Sequence, residues 1–238
     1  MSRSISMALD VPLFTLQHAA ADARAALEAA GWSLVGTGDW SWVYASPDDA
    51  LAARVTPWDG AYRLYAETCR AHPNKYLQRI DRIDELNDGG HVVFMERLWP
   101  ADEARAADFC VAVGLGNQSG YELQAAPEAV AAFADDPDMA GLREIVRCAV
   151  ETGAATLPFW GGSDIRPGNV MADAAGGLKL IDPLFVAGKE IVAAILAGQR
   201  ERLAAIPRGS LAAFLTIPVF DDGAPGLRQA LQDMDLIE

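Results

Sequence analysis

The chain changes texture once, and that change limits its fold more than any other feature. Up to about residue 98 it reads as short strand-like runs interrupted by one helix; after that it reads mainly as helices. Three runs come first: SLVG (33–36), WSWVYAS (40–46) and ALAARVT (50–56). The turn-forming SPDD at 46–49 separates the last two. DGAYRLYAETCRAH (59–72) reads as a helix with Asp59 near its start. YLQRIDRIDEL (76–86) and HVVFMERL (91–98) read as strands around the turn NDGG at 87–90. A further helix precedes the sheet at 15–32. Thr15 is its candidate cap, Leu16, Ala20, Ala23 and Leu27 share one side, and Gly31 can end it.

Beyond RLWPADE (97–103) the spacing predicts helices over 101–115, 126–134, 138–153 and 189–206. The clearest is 138–153, where Leu142, Ile145, Val146, Ala149 and Val150 recur at helical spacing and Gly153 can close the helix. Two short strands are expected near 169–172 and 178–182. The tail from 207, with prolines at 207, 218 and 225, has no clear assignment. The texture change divides the chain into 1–98 and 99–238.

At 238 residues and 51% apolar, the chain can build one sizeable domain or two lobes sharing a site. No run of about 18 apolar residues could cross a membrane. The start, MSRSISMALDVPLF, lacks the apolar stretch of a secretion signal, so cytoplasmic residence is expected. Cys69, Cys110 and Cys148 have no metal-binding spacing and read as three buried thiols in a reducing compartment. A net charge of −14 argues against direct nucleic-acid binding, which needs a basic surface. The charge is uneven: 101–140 carries eight acids and one base, and 221–238 five acids and one base. Either these segments are solvated surface or they form a face for a basic protein partner.

The chemistry concentrates in GGSDIRPGNVMADAAGGLKLIDPLF (161–185). Asp164 and Asn169 lie five residues apart, and Asp182 closes an apolar run 13 residues later. Two acids and an amide beside strand ends suit a metal–phosphate site; each could also be a turn or cap residue. Upstream, GTGDWSWVY (36–44) has the form G-x-G-x-x-S-x-V-Y between two strands, where glycines let a backbone turn tightly and offer N–H groups to a phosphate. GLGNQSG (114–120) reads as an ordinary loop.

Taken in order, these pieces resemble the protein-kinase fold, and SDIRPGN resembles the D-x-H-P-G-N loop of aminoglycoside-phosphotransferase-like kinases. YAETCRAHPN, MERLWP and the NVM and LIDP segments are most similar to small bacterial and phage serine/threonine-kinase-like proteins. The resemblance spans 33–186. It implies an α+β bilobal fold with a small antiparallel-sheet N-lobe and a mainly helical C-lobe. It also implies roles. Gly36, Gly38, Ser41 and Val43 would cover ATP, and Arg54 would hold its phosphates, oriented by Glu67. Met95, Glu96 and Leu98 would form the hinge that takes the base. Asp164 would serve the acceptor hydroxyl, and Arg166 would neutralise the transferred phosphate or pair with a surface acid. Asn169 and Asp182 would bind Mg²⁺.

Three departures stand out. Arg54 replaces the usual lysine, an exchange that is not conservative at a tight phosphate site. Gly162 stands where a histidine usually braces the loop. Only a few residues separate Asp182 from the helix near 189, so the activation segment is reduced. Two functions follow: an ATP- and Mg²⁺-dependent phosphotransferase acting on a protein or small-molecule hydroxyl, or a catalytically impaired, pseudokinase-like module gripping a partner through its acidic helical lobe. Antibiotic modification is a weaker third, because the C-terminal part is short for a drug-binding subdomain.

Overall fold

The computed structural model describes residues 13–114 and 131–238. Five strands form one antiparallel sheet: β1 (Ser33–Thr37), β2 (Trp42–Ala45), β3 (Leu51–Thr56), β4 (Ile80–Glu85) and β5 (His91–Glu96). Their spatial order is β1-β2-β3-β5-β4. Helix α2 (Gly60–Ala71) is inserted between β3 and β4. Because successive strand residues face opposite ways, β3 and β5 each serve two cores. Ala53 and Val55 with Val92 and Phe94 face α1 (Ala20–Ala29), where Phe14, Ala23, Leu27 and Trp32 cover them. Ala52 with Val93 and Met95 faces α2, which presents Ala61, Tyr62, Tyr65, Ala66 and Cys69. By the same alternation Arg54 points to the α2 side.

Helix α1 is shorter than the sequence predicts. Thr15 closes a turn with His18 instead of capping the helix, and Asp22 accepts from the Ala19 N–H at 2.8 Å. Leu16 is 65% exposed, so it does not share the buried side. Asp59 caps α2 by accepting from the Tyr62 N–H at 3.0 Å.

The core on the α2 side continues without a break into the helical part. This part holds α3 (Glu103–Val113), α4 (Pro137–Thr156), α5 (Gly188–Leu196), α6 (Arg200–Leu203), α7 (Arg208–Phe214) and α8 (Pro225–Asp233). Two small sheets lie among them. One pairs β6 (Trp99–Pro100), β8 (Val170–Ala172) and β9 (Leu178–Leu180); the other pairs β7 (Trp160–Ser163) with β10 (Leu184–Val186). The α+β arrangement, antiparallel sheet first and helices second, is the one the sequence predicts.

Several local expectations change. The helix expected over 189–206 is two, separated at Gly198, which adopts φ 65°. Gly153 does not end α4. It lies inside the helix, where a Cβ would come within 2.4 Å of the Trp160 ring. Close packing, not a helix stop, is what fixes a glycine there. Cys69 and Cys110 are buried but Cys148 is exposed on α4, so only two of the three thiols are sequestered. Most of the helix expected over 126–134 lies outside the described residues. No helix among the described residues is long and apolar enough to cross a membrane.

The tail, unassigned from sequence, ties the two parts together. Trp40, at the tip of the β1–β2 hairpin, packs against Phe214 of α7 with ring centroids 5.5 Å apart, and against Trp58 at 5.9 Å. The Val219 N–H donates to the Asp39 carbonyl at 3.1 Å. One turn earlier on the same face of α7, Ser210 lies so close to Gly89 that a Cβ on the glycine would come within 2.7 Å of its hydroxyl. Helix α7 therefore touches both the hairpin tip and the 87–90 turn of the sheet lobe.

Two outcomes follow. Phe214→Ala should cost about 3–5 kcal/mol in urea melts and raise hydrogen exchange at residues 38–41. An unchanged exchange rate there would show that α7 does not hold the hairpin. His91, buried on β5, supplies the second. Burial, and then the positive charges of Arg54 and Arg63, hold its imidazole down to about 3. The folded state then refuses a proton that the unfolded chain takes near pH 6.5. His91 thus contributes stability that is complete above that pH and is lost as pH falls from about 6.5 towards 3. Melting from pH 7.5 to 4 should show wild type losing about 1.4 kcal/mol per pH unit relative to His91→Asn within that window. Parallel curves would contradict a neutral, buried His91.

Candidate active site

The β1–β2 hairpin roofs a cleft of about 680 Å³ whose floor carries Asp164, Asn169 and Asp182. Local pairing delivers each floor residue. Asp164 follows β7, and its N–H donates to the Pro183 carbonyl at 2.7 Å. Asn169 ends a single turn at Pro167–Asn169, and its carbonyl accepts from the Ile181 N–H at 2.8 Å. Asp182 lies between β9 and β10 at φ 48°, a left-handed kink that breaks the run of the chain at that point. The segment from Asp182 to the start of α5 at Gly188 is therefore only a short strand and its flanks, the reduced activation segment expected from sequence.

The Asn169 amide joins the other two residues. Its Nδ2 donates to the Asp164 carbonyl at 2.7 Å, to Asp164 Oδ2 at 2.9 Å and to the Asp182 carbonyl at 3.0 Å. That commitment leaves the amide oxygen as its available ligand atom. Arg166 Nε also donates to Asp164 Oδ2, at 2.9 Å. Asp164 Oδ1 is buried with no hydrogen-bond partner. A buried carboxylate oxygen left unpaired is costly, and such an atom suits accepting a proton from an incoming group.

Arg54 enters from the roof side. Its guanidinium is buried, with Nη1 2.7 Å from Asp182 Oδ2, Nη2 3.4 Å from Asp59 Oδ2, and the Tyr62 ring 3.4 Å away. Burial alone would lower its pKa; Asp182, Tyr62 and Asp59 outweigh that and raise it, so the charge is permanent. Asp59 shows the opposite tension. Burial and the Asp182 charge push its carboxyl up to about 7, against the pull of Arg54.

Of the residues singled out by sequence, Gly36, Gly38, Ser41, Val43, Arg54, Asp164, Arg166, Asn169 and Asp182 all line this one cleft. Glu67 does not reach it. More than two turns along α2 from its cap Asp59, it is half exposed and pairs with Arg63 at 2.7 Å, four residues earlier on the same helix. The proposed hinge is also displaced. Met95 points into the α2 core, where its sulfur accepts from the Tyr62 hydroxyl at 3.4 Å. Glu96 accepts from the Arg79 N–H at 2.7 Å and pairs with Lys179 at 3.5 Å. Leu98 is buried, and its carbonyl accepts from Arg97 Nη1 at 2.6 Å. Among the hinge residues it is Arg97 that lines the cleft.

The glycines act differently from the expectation. Neither Gly36 nor Gly38 has a positive φ, and a Cβ on either would meet nothing closer than 3.9 Å. Their lack of side chains leaves room under the roof and is not needed for the turn. Gly161 and Gly162, by contrast, are required where they stand. Gly162 has φ 109°, and a Cβ on Gly161 would come within 2.2 Å of the Phe185 ring. Pairing of β7 with β10 thus braces the loop in place of the missing histidine. Sequence reasoning missed Asp59, Arg97, Met171, Ile181 and Phe185 as cleft residues. Asp59 carried a signal, a carboxylate at a helix start five residues after Arg54, but was read only as local chemistry.

Among the described residues no group of three His, Cys, Asp or Glu side chains could hold a metal by itself. Two oxygen ligands remain, the Asn169 amide oxygen and Asp182 Oδ1, while Asp182 Oδ2 is held by Arg54. An oxygen-only pair fits Mg²⁺ bound jointly with waters and phosphates.

No protein-family model and no curated protein matches this sequence. Solved structures give faint likenesses. An apo pseudokinase is 11% identical, with 87% of this chain and 74% of that chain covered, at a TM-score of 0.34. The aminoglycoside phosphotransferase APH(3'')-Id from Streptomyces rimosus is 18% identical, covering 90% and 94%, at 0.31. A thermostable mutant of the aminoglycoside phosphotransferase APH(4)-Ia, in ternary complex with ADP and hygromycin B, is 15% identical, covering 90% and 88%, at 0.32. Scores this low carry no argument, and what the chain can do is read from its own side chains.

Proposed function

We propose that the chain is a phosphotransferase that binds ATP with Mg²⁺ under the 36–44 hairpin and transfers the γ-phosphoryl group to a hydroxyl of a protein or small molecule. One observation carries this reading: Asp164, Asn169 and Asp182, spread over 19 positions of sequence, meet in a single cleft beneath the glycine hairpin and beside Arg54, Arg97 and Arg166. Carboxylates, an amide and arginines gathered at one cleft support a polyphosphate and a hydroxyl as its ligands.

Mg²⁺ would be held by the Asn169 amide oxygen and Asp182, and would supply charge neutralisation for the phosphates. The backbone of Gly36–Gly38 would cover the phosphates closely because no side chain intervenes. Arg54 would hold them from the roof side and Arg166 from the floor. The acceptor oxygen forms a bond to the γ-phosphorus as the bond to the β–γ bridging oxygen breaks, leaving nucleoside diphosphate. The hydroxyl proton passes to Asp164, whose unpartnered Oδ1 can accept it. Asn169 and Arg166 keep the other oxygen of Asp164 fixed while this occurs.

A second reading has one observation in its favour. The Arg54–Asp182 pair at 2.7 Å takes up one of the two Asp182 oxygens and neutralises the charge a cation would use. If that pair never opens, the chain is an impaired, pseudokinase-like module that binds a partner protein.

A thermal-shift titration with Mg²⁺ and ATP tests occupancy. At a hundredfold excess over Kd the shift should correspond to about 2.7 kcal/mol. Gly38→Ala should leave the melting temperature of the free protein unchanged within about a degree, because its Cβ has room, yet weaken the nucleotide shift. Transfer of a γ-labelled phosphate should fall at least a hundredfold in Asp164→Ala, in line with general-base contributions. Equal labelling by both proteins would end the phosphotransferase reading. A nucleotide shift without any transfer would favour the binding-module reading.

A further inference from the structure

A buried arginine needs a fixed anionic partner, and the helix glutamate expected to provide one is turned away. Glu67 lies half exposed on α2 and pairs with Arg63. Asp59 lies where β3 gives way to α2, five residues after Arg54, and is itself buried. Its two oxygens divide the work. Oδ1 accepts from the Tyr62 N–H at 3.0 Å and caps the helix, and Oδ2 faces Arg54 Nη2 at 3.4 Å. The cap fixes the first turn of α2, and that turn sets the Tyr62 ring 3.4 Å from the guanidinium. One side of the guanidinium is therefore seated on the start of α2, while Nη1 points across the cleft to Asp182.

We propose that Asp59, together with the Tyr62 ring, is the positioning residue that holds Arg54 in the cleft for the nucleotide phosphates, in place of the helix glutamate. The proposal rests on the nucleotide-binding reading given above. When Asp182 turns to a cation, Arg54 loses its 2.7 Å partner but keeps its seat on α2, and Nη1 becomes free for a phosphate oxygen. Without Asp59 the guanidinium would have only Asp182, and cation binding there would leave a buried charge unpaired. Asp59 therefore makes it possible for one chain to use an arginine at this position and still release its metal ligand.

Asp59→Asn, compared with wild type at pH 8.5 where the Asp59 carboxyl is ionised, is the discriminating variant, since asparagine caps a helix as well as aspartate does and only the charge is lost. Glu67→Gln is the matched control. In Mg²⁺–ATP titrations, Asp59→Asn should bind about tenfold more weakly than wild type, the loss of one charge-assisted contact, and Glu67→Gln within about twofold. Nucleotide-free melts provide an independent reading. The Tm losses of Arg54→Met and Asp59→Asn should be strongly non-additive, and those of Arg54→Met and Glu67→Gln additive. Wild-type affinity in Asp59→Asn, or additive losses in the first pair, would overturn the assignment. If wild type binds no Mg²⁺–ATP, the nucleotide reading fails and the positioning role falls with it. The melts then still report whether the Arg54–Asp59 pair exists, so the two failures are told apart.

Discussion

The seat of Arg54 is the interaction on which the rest of the molecule depends. A guanidinium out of contact with water is tolerated only where carboxylates and an aromatic face meet it together. Here they come from three places: Asp59 and Tyr62 from the start of α2, and Asp182 from the kink between β9 and β10. Satisfying one charge therefore fixes the sheet, the inserted helix and the helical part relative to one another. The polar contact is backed by apolar packing, since the core beneath α2 runs unbroken into the helical part.

The same arrangement shapes the cleft. Its roof is a hairpin whose tip is held by Trp40 against α7, and its floor is braced by β7 pairing with β10. Both anchors are rigid elements, so the three polar floor residues are preorganised before any ligand arrives. Preorganised polar groups in a partly buried site are worth more than the same groups in water, because no reorganisation is needed when charge appears. The passage from Asp182 to α5 is short and holds only β10 and its flanks. The Arg54–Asp182 pair is a polar contact that crosses the cleft from the sheet to the helical part.

Much of this was legible in the sequence, and the misses have physical causes. The strands of the main sheet and α2 were clear because apolar periodicity and turn chemistry agree there. Asp164, Asn169 and Asp182 were singled out by type and spacing, and the pairing of short strands brings them to one cleft. The hinge was misread because alternation along β5 sends Met95 into the core, and side-chain direction depends on register that a motif does not encode. Glu67 was misread for a similar reason: being on the right helix does not place a residue on the right face. Gly153, expected to end a helix, packs tightly against Trp160, while Gly198, inside the helix expected over 189–206, ends one, because sequence cannot distinguish a glycine needed for space from one needed for φ. The tail could not be assigned because its helices are short and are held by distant parts of the chain, α7 by the sheet lobe and α8 by α5.

The central claim is that roof and floor form one phosphate site. A structure of the protein with Mg²⁺ and a non-hydrolysable ATP analogue tests it most directly. The account predicts phosphates beneath Gly36–Gly38, the cation on Asn169 and Asp182, and Arg54 still seated on Asp59 and Tyr62 but parted from Asp182 Oδ2. Nucleotide bound elsewhere, or bound with the Arg54–Asp182 pair intact and no cation on Asn169, would contradict it.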